Sequence, residues 1–154
     1  MRLSDLLRPE AVRLEVRDAD KWEVIETLTD HLVSCGCLDG QKRDVVLEAL
    51  LARERSMSTG MERGIAIPHC SLEQVDETLV ALGISSEGVE FESIDGERTH
   101  LILLLVTPKN KTKVHIRTLA EIAKLLNDES FRESLVNAGT EGDVLDLIRQ
   151  REAG

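Results

Sequence analysis

The chain has 154 residues, 42% of them hydrophobic and 31% charged, with a formal net charge of −10; it can bury one sizeable core and is too apolar to be disordered. That acidity argues against nucleic acid and anionic membrane surfaces as partners, since nothing in the balance would neutralise phosphates. No stretch reaches the ~18 apolar residues of a membrane span, "MRLSDLLRPE" lacks the apolar core of a signal peptide, and three cysteines without secretion signals predict a reduced, cytoplasmic setting.

In chain order, "AVRLEV" (11–16) alternates apolar and charged residues and predicts a half-exposed strand. The period then lengthens: Trp22, Ile25, Leu28, Thr29 and Leu32 recur at helical spacing, with Asp20 as N-cap and Gly36 as stop. "DGQKRDVVLEALLARER" predicts a second helix over about 42–54, whose inner stripe runs Val46, Leu50, Arg53. Residues 77–85 read as a strand, and Val89, Phe91 and Ser93 alternate with acidic residues before a turn at Asp95-Gly96. The uninterrupted apolar run 101–106 predicts a central strand covered on both faces, closed by Pro108.

A helix beginning near Val114 follows, with Ile116, Leu119, Ala120, Ala123 and Leu126 as its apolar stripe. "ESFRESLVNAG" and "TEGDVLDLIRQRE" predict two short helices, the second capped by Thr140. With no repeats or linkers, residues 1–154 read as a single α/β domain: a mixed sheet flanked by helices, with one antiparallel pairing at the Asp95-Gly96 turn.

The four histidines differ in their settings. His31 forms a compact group with Cys35 and Cys37, but no second ligand pair completes a metal site, so no metal is expected and the cysteines read as small buried residues. His100 precedes the central strand and caps its entry. His69 stands at the end of "GIAIPH", where Pro68 removes a backbone N–H and holds Ile67 extended, so the imidazole sits at the rim of the sheet on a stiff backbone. His115 lies in the first turn of a helix that starts at the carboxyl end of the central strand, where anions are favoured. If His69 shares that edge, two imidazoles and Arg53 converge on a phosphoryl-sized site. Spacing alone leaves open the alternative of three unrelated polar residues.

The string from Arg53-Glu54 through Ser58-Thr59-Gly60 to Gly64-Ile65-Ala66-Ile67-Pro68-His69, with "HIRTLA" at 115–120 and "FESIDG" before the central strand, resembles one family over nearly the whole chain. That family is the IIA component of the bacterial phosphoenolpyruvate-dependent phosphotransferase system, of the fructose, mannitol and nitrogen-regulatory type. The resemblance implies the mannitol/fructose-type IIA fold, with helices on both faces of the sheet. It implies that His69 is phosphorylated by the carrier HPr, that His115 hydrogen-bonds the phosphoryl group, and that Arg53 orients it. It implies no cofactor. Ile116 stands where leucine is usual, and Glu62 and Arg63 interrupt a glycine-rich segment, predicting charges beside the pocket. Cys70, next to the nucleophile, reads as a small packing residue.

Within this reading the chain is a phosphocarrier, favoured as a nitrogen-type regulator acting on protein targets, with a sugar-transport subunit that passes phosphate to a IIB partner as the alternative. A non-catalytic binding module with the same fold is the competing class, and the retention of His69, His115 and Arg53 together speaks against it.

Overall fold

The computed structural model describes residues 2–154. A short helix α1 (Leu3–Leu6) leads to strand β1 (Val12–Arg13) and the paired helices α2 (Lys21–Ser34) and α3 (Arg43–Ser56). Four strands follow: β2 (Ile65–Ala66), β3 (His69–Leu72), β4 (Leu79–Val89) and β5 (Thr99–Pro108). Helices α4 (Thr112–Leu125), α5 (Glu129–Val136) and α6 (Glu141–Ala153) complete the chain.

The apolar run forms the middle of β5, where consecutive side chains point to opposite faces and all but His100 are buried. Both faces of the sheet are therefore covered, as the resemblance implied. On one side of β5 lies antiparallel β4, with Val80 opposite Leu105 and Ile84 opposite Leu101, and beyond it parallel β1. On the other side β2 and β3 run parallel to β5, and together they act as one edge strand interrupted at Ile67-Pro68. Pro68 cannot donate to the ladder, but its carbonyl accepts from Leu105 N at 2.9 Å and keeps the register. Helices α2 and α3 pack on each other and on β4 and β3, whereas α4 and α5 contact β5 and α6 packs on α5 and β1.

Both predicted caps are in place: the Asp20 carboxylate accepts from Glu23 N at 3.0 Å, and the Thr140 hydroxyl from Asp143 N at 3.1 Å. Gly36, at φ +82°, ends α2 in a conformation that favours glycine.

Several expected boundaries move. The strand expected over 11–16 is only two residues long, because Glu15 turns into the left-handed region at φ +56° before Val16 N rejoins Ile84 O at 2.8 Å. Residues expected as separate strands merge into β4, which carries an irregularity between Ile84 and Val89, while Phe91 and Ser93 lie beyond it in the connection. Phe91 is fully buried there, so its apolar signal came from the core and not from strand pairing.

Two helical stripes depart from the expected face at one terminal position each, and a third is rotated as a whole. In α2 Lys21 is buried and Trp22 is partly exposed, the ammonium lying 4.8 Å from the indole centroid. In α3 the inner position is Glu54, and Arg53 lies half-buried beside it. In α4, which begins at Thr112, the buried residues are His115, Thr118 and Ile122, while Ile116 is 63% exposed and Ala120 faces solvent. The inner face of α4 is thus the one carrying the histidine, set one residue from the stripe that hydropathy selects.

Candidate functional site

His69 opens β3 opposite Leu105, near the carboxyl end of β5. Gly64, at φ +78°, turns the chain into β2; its carbonyl accepts from His100 N and Leu101 N, and the chain then runs extended to Pro68. The His69 side chain is half-buried, and its Nδ1 lies 2.6 Å from the Ile67 carbonyl oxygen. A carbonyl can only accept, so Nδ1 carries the proton and Nε2 keeps a free lone pair. Burial lowers the basicity of this imidazole, and the positive charge of Arg53 adds to the effect; the bond to Ile67 and the negative charge of Glu54 oppose it. The ring is accordingly neutral near neutral pH.

His115 reaches the same place from α4. The two ring centroids are 5.3 Å apart with an interplanar angle of 52°. His115 is buried, and its Nδ1 shares a short hydrogen bond with the Thr107 hydroxyl of β5. Thr107 Oγ1 also lies 3.1 Å from Ser71 Oγ and 3.4 Å from the Cys70 carbonyl. Burial and then the proximity of His69 hold the His115 imidazole below its ordinary basicity. Arg53, in the last turn of α3, donates from Nη1 to the Met57 carbonyl at 2.8 Å, which pins its guanidinium at the helix end. Two neutral imidazoles and a guanidinium whose charge acts on one of them therefore meet at one sheet edge. Such a group can accept a phosphoryl group on nitrogen and stabilise its oxygens.

The remaining expected residues fall elsewhere. The Cys70 side chain is buried, and burial pushes its thiol up to about 12, which makes it an inert packing residue. Arg63 is not placed with His69 and His115: its backbone N donates to Asp95 at 2.9 Å and its Nη1 to Asn127 Oδ1 at 2.9 Å. It lines a cleft of about 750 Å³ with Arg98, His100 and Arg132 at the amino end of β5, and that cleft includes neither His69 nor His115. His31 Nε2 is bonded to the Glu10 carbonyl at 2.8 Å, and no group of three or more His, Cys, Asp or Glu side chains among the described residues is placed to hold a metal.

Sequence reasoning missed two members of the site. Thr107 was detectable as the polar residue between an apolar run and a proline. Glu54 was detectable as a charged residue four positions after Leu50 on a buried face.

The pattern of the family described as phosphoenolpyruvate-dependent sugar phosphotransferase system, EIIA 2, matches residues 5–151. The chain belongs to this EIIA family. It is 32% identical over 152 residues to the fructose-specific EIIABC component of Bacillus subtilis, a match covering 99% of this chain and 24% of that protein. It is 33% identical over 155 aligned positions to the nitrogen regulatory protein of Escherichia coli, covering 99% of this chain and 92% of the relative. Among solved structures, the nitrogen regulatory protein IIA-Ntr of Neisseria meningitidis superposes with a TM-score of 0.85 at 29% identity, covering 95% of this chain and 98% of that one. These EIIA relatives carry both nitrogen-regulatory and sugar-transport names, and the fold is that of the EIIA family.

Proposed function

We propose that this EIIA protein is a phosphocarrier in which His69 Nε2 takes a phosphoryl group from an HPr-like phosphohistidine donor. The observation that carries the reading is the Nδ1 bond from His69 to Ile67 O beside the second imidazole, because it makes His69 a neutral, oriented, single-nitrogen nucleophile. In the transfer, the Nε2 lone pair forms a new N–P bond as the donor's N–P bond breaks, and no water or nucleotide takes part. The proton stays on Nδ1, donated to the Ile67 carbonyl, whose oxygen stabilises the positive charge that develops on the ring. Transfer of this kind depends on positioning and charge stabilisation more than on covalent assistance.

In this reading His115 donates from Nε2–H to the phosphoryl oxygens. That requires Thr107 O–H to donate to His115 Nδ1 while Ser71 O–H donates to Thr107. Arg53 contributes a permanent charge to the same oxygens. A regulatory use is favoured, because the chain superposes on the nitrogen regulatory IIA-Ntr structure with a TM-score of 0.85, against 0.78 for IIA mannitol of Escherichia coli. The likeness to a fructose-specific EIIABC component supports the second use, transfer onward to a IIB domain. No helix among the described residues is long and apolar enough to cross a membrane, which fits a protein that meets its partners in the cytoplasm.

The test is a reconstituted relay of phosphoenolpyruvate, enzyme I and HPr, followed by intact mass of this chain. A base-stable, acid-labile phosphoryl adduct is expected on the native chain and not on His69→Ala; no adduct from any HPr would overturn the proposal. Adding a IIB domain then separates the two uses, since only a transport subunit discharges to it.

A further inference from the structure

Glu54 is a buried carboxylate that the phosphoryl chemistry does not use. It is 2% exposed, yet it has a full set of donors: Thr59 N at 2.8 Å and Lys21 Nζ at 3.3 Å on Oε2, and the Thr59 hydroxyl at 2.5 Å on Oε1. Lys21, itself 3% exposed, also reaches Glu92 at 2.9 Å. A charge pair this deep costs desolvation that its mutual attraction does not reliably repay, so it is weak evidence for a purely stabilising role. Its place in the fold gives it another role. Both Thr59 donors fix the segment that links α3 to β2, and the Thr59 carbonyl then accepts from Ile67 N at 3.3 Å. The opposite side of the same Ile67 residue, its carbonyl, holds the His69 imidazole. Gly60 lies against this arrangement so closely that a Cβ there would be 2.7 Å from the Phe91 carbonyl oxygen, so the segment has little room to adopt another path.

We infer that Glu54 is the positioning residue of His69: clamped by Lys21, it holds Thr59, Thr59 holds the Ile67 peptide, and Ile67 holds the imidazole with its Nε2 outward. The inference rests on the proposed role of His69, but its structural half is independent of any phosphoryl donor. Arg53, one residue earlier, acts by charge; Glu54 acts through hydrogen bonds. This predicts an asymmetry between variants. In Glu54→Gln the amide oxygen still accepts from Thr59 N and the amide N–H can donate to the Thr59 hydroxyl, so the segment stays anchored. In Glu54→Ala both bonds from Thr59 to this side chain are lost.

The experiment is ¹⁵N NMR of the His69 ring tautomer and hydrogen exchange of the Ile67 amide, in native chain, Glu54→Gln, Glu54→Ala and Thr59→Val, alongside the rate of phosphoryl acceptance. The native chain should show the Nδ1–H form and a protected Ile67 amide. Glu54→Ala should show a mixture of tautomers, faster Ile67 exchange and a kcat for acceptance reduced by about tenfold or more with the KM for HPr little changed. Glu54→Gln should stay close to native, and Thr59→Val should fall between. A folded Glu54→Ala chain with native His69 tautomer and Ile67 protection would overturn the inference, as would a Glu54→Gln chain as impaired as Glu54→Ala, which would mean that the charge alone matters. If Glu54→Ala does not fold, Thr59→Val decides: an unchanged His69 tautomer overturns the inference, a shifted one upholds it. Should the native chain accept no phosphoryl group, the functional proposal fails while the NMR measurements still judge the role of Glu54.

Discussion

His69 Nδ1 lies 2.6 Å from the carbonyl oxygen of Ile67, two residues earlier in the same chain. That contact crosses Pro68, whose fixed φ and missing N–H hold the peptide extended and leave its carbonyl free for the sheet. The turn from edge strand to imidazole is therefore local and stiff. It presents one defined nitrogen, and the proposed division of labour between the two histidines rests on it.

His69→Ala removes the proposed nucleophile and should abolish the adduct. His115→Ala removes one donor to the developing charge, a loss worth about 10²–10³ in rate where such donors have been removed elsewhere. It should therefore slow acceptance while leaving an adduct detectable by intact mass at long times. Equal and complete loss in both variants would contradict this division.

Thr107→Val keeps the shape of a fully buried strand residue and deletes the hydroxyl that bonds His115 Nδ1. The orphaned nitrogen should cost about 1–3 kcal/mol in denaturant unfolding. It should also convert His115 toward the Nδ1–H tautomer, seen by ¹⁵N NMR, with slower phosphoryl acceptance. A native tautomer and native rate in this variant would remove Thr107 from the site.

Both imidazoles lie below the ordinary value of 6.5 in the folded chain, mainly through burial. Between their folded values and 6.5 the unfolded chain binds more protons than the folded one, so stability rises with pH across that window. The contribution is fully present above 6.5 and is lost as pH falls through the folded values. Urea unfolding from about pH 7.5 down to about 5.5 should show a decline that the double variant His69→Gln/His115→Gln flattens. Phosphoryl acceptance should likewise persist to lower pH than a free imidazole would allow.

Asp20→Ala removes the N-cap of α2, whose Oδ1 accepts from Glu23 N at 3.0 Å. The expected cost is about 1 kcal/mol, a fall in Tm of roughly 2–4 °C for a chain of this size. Because the change lies at the opening of α2 and outside the histidine pair, phosphoryl acceptance at 25 °C should be unaltered. A loss of acceptance without loss of Tm would show that the start of α2 serves the site directly, the neighbouring Lys21 being the route.

Local chemistry made much of this protein legible. The continuous run 101–106 could only be a strand covered on both faces, and it is the centre of β5. Asp20, Gly36 and Thr140 marked helix ends because capping uses residues within one turn. "GIAIPH" already implied a stiff presentation of His69, since glycine and proline act on their own backbone. Hydropathy period, by contrast, places a helix face only to within a neighbouring position, about 100° of rotation. It therefore selected Arg53 where Glu54 is buried, Ile116 where His115 is buried, and Trp22 where Lys21 is buried. Each error has the same origin: the inward group is polar and is admitted only because a partner outside its own helix satisfies it. Lys21 and Glu54 are 33 residues apart, as are Ser58 and the Phe91 carbonyl it bonds. The sequence by itself determined the candidate residues for the chemistry and the stiffness of the segment bearing His69. The tertiary structure alone decided that Lys21 and Glu54 are buried as a pair and that His115 meets His69, because both depend on contacts formed only after the helices and the sheet have packed together.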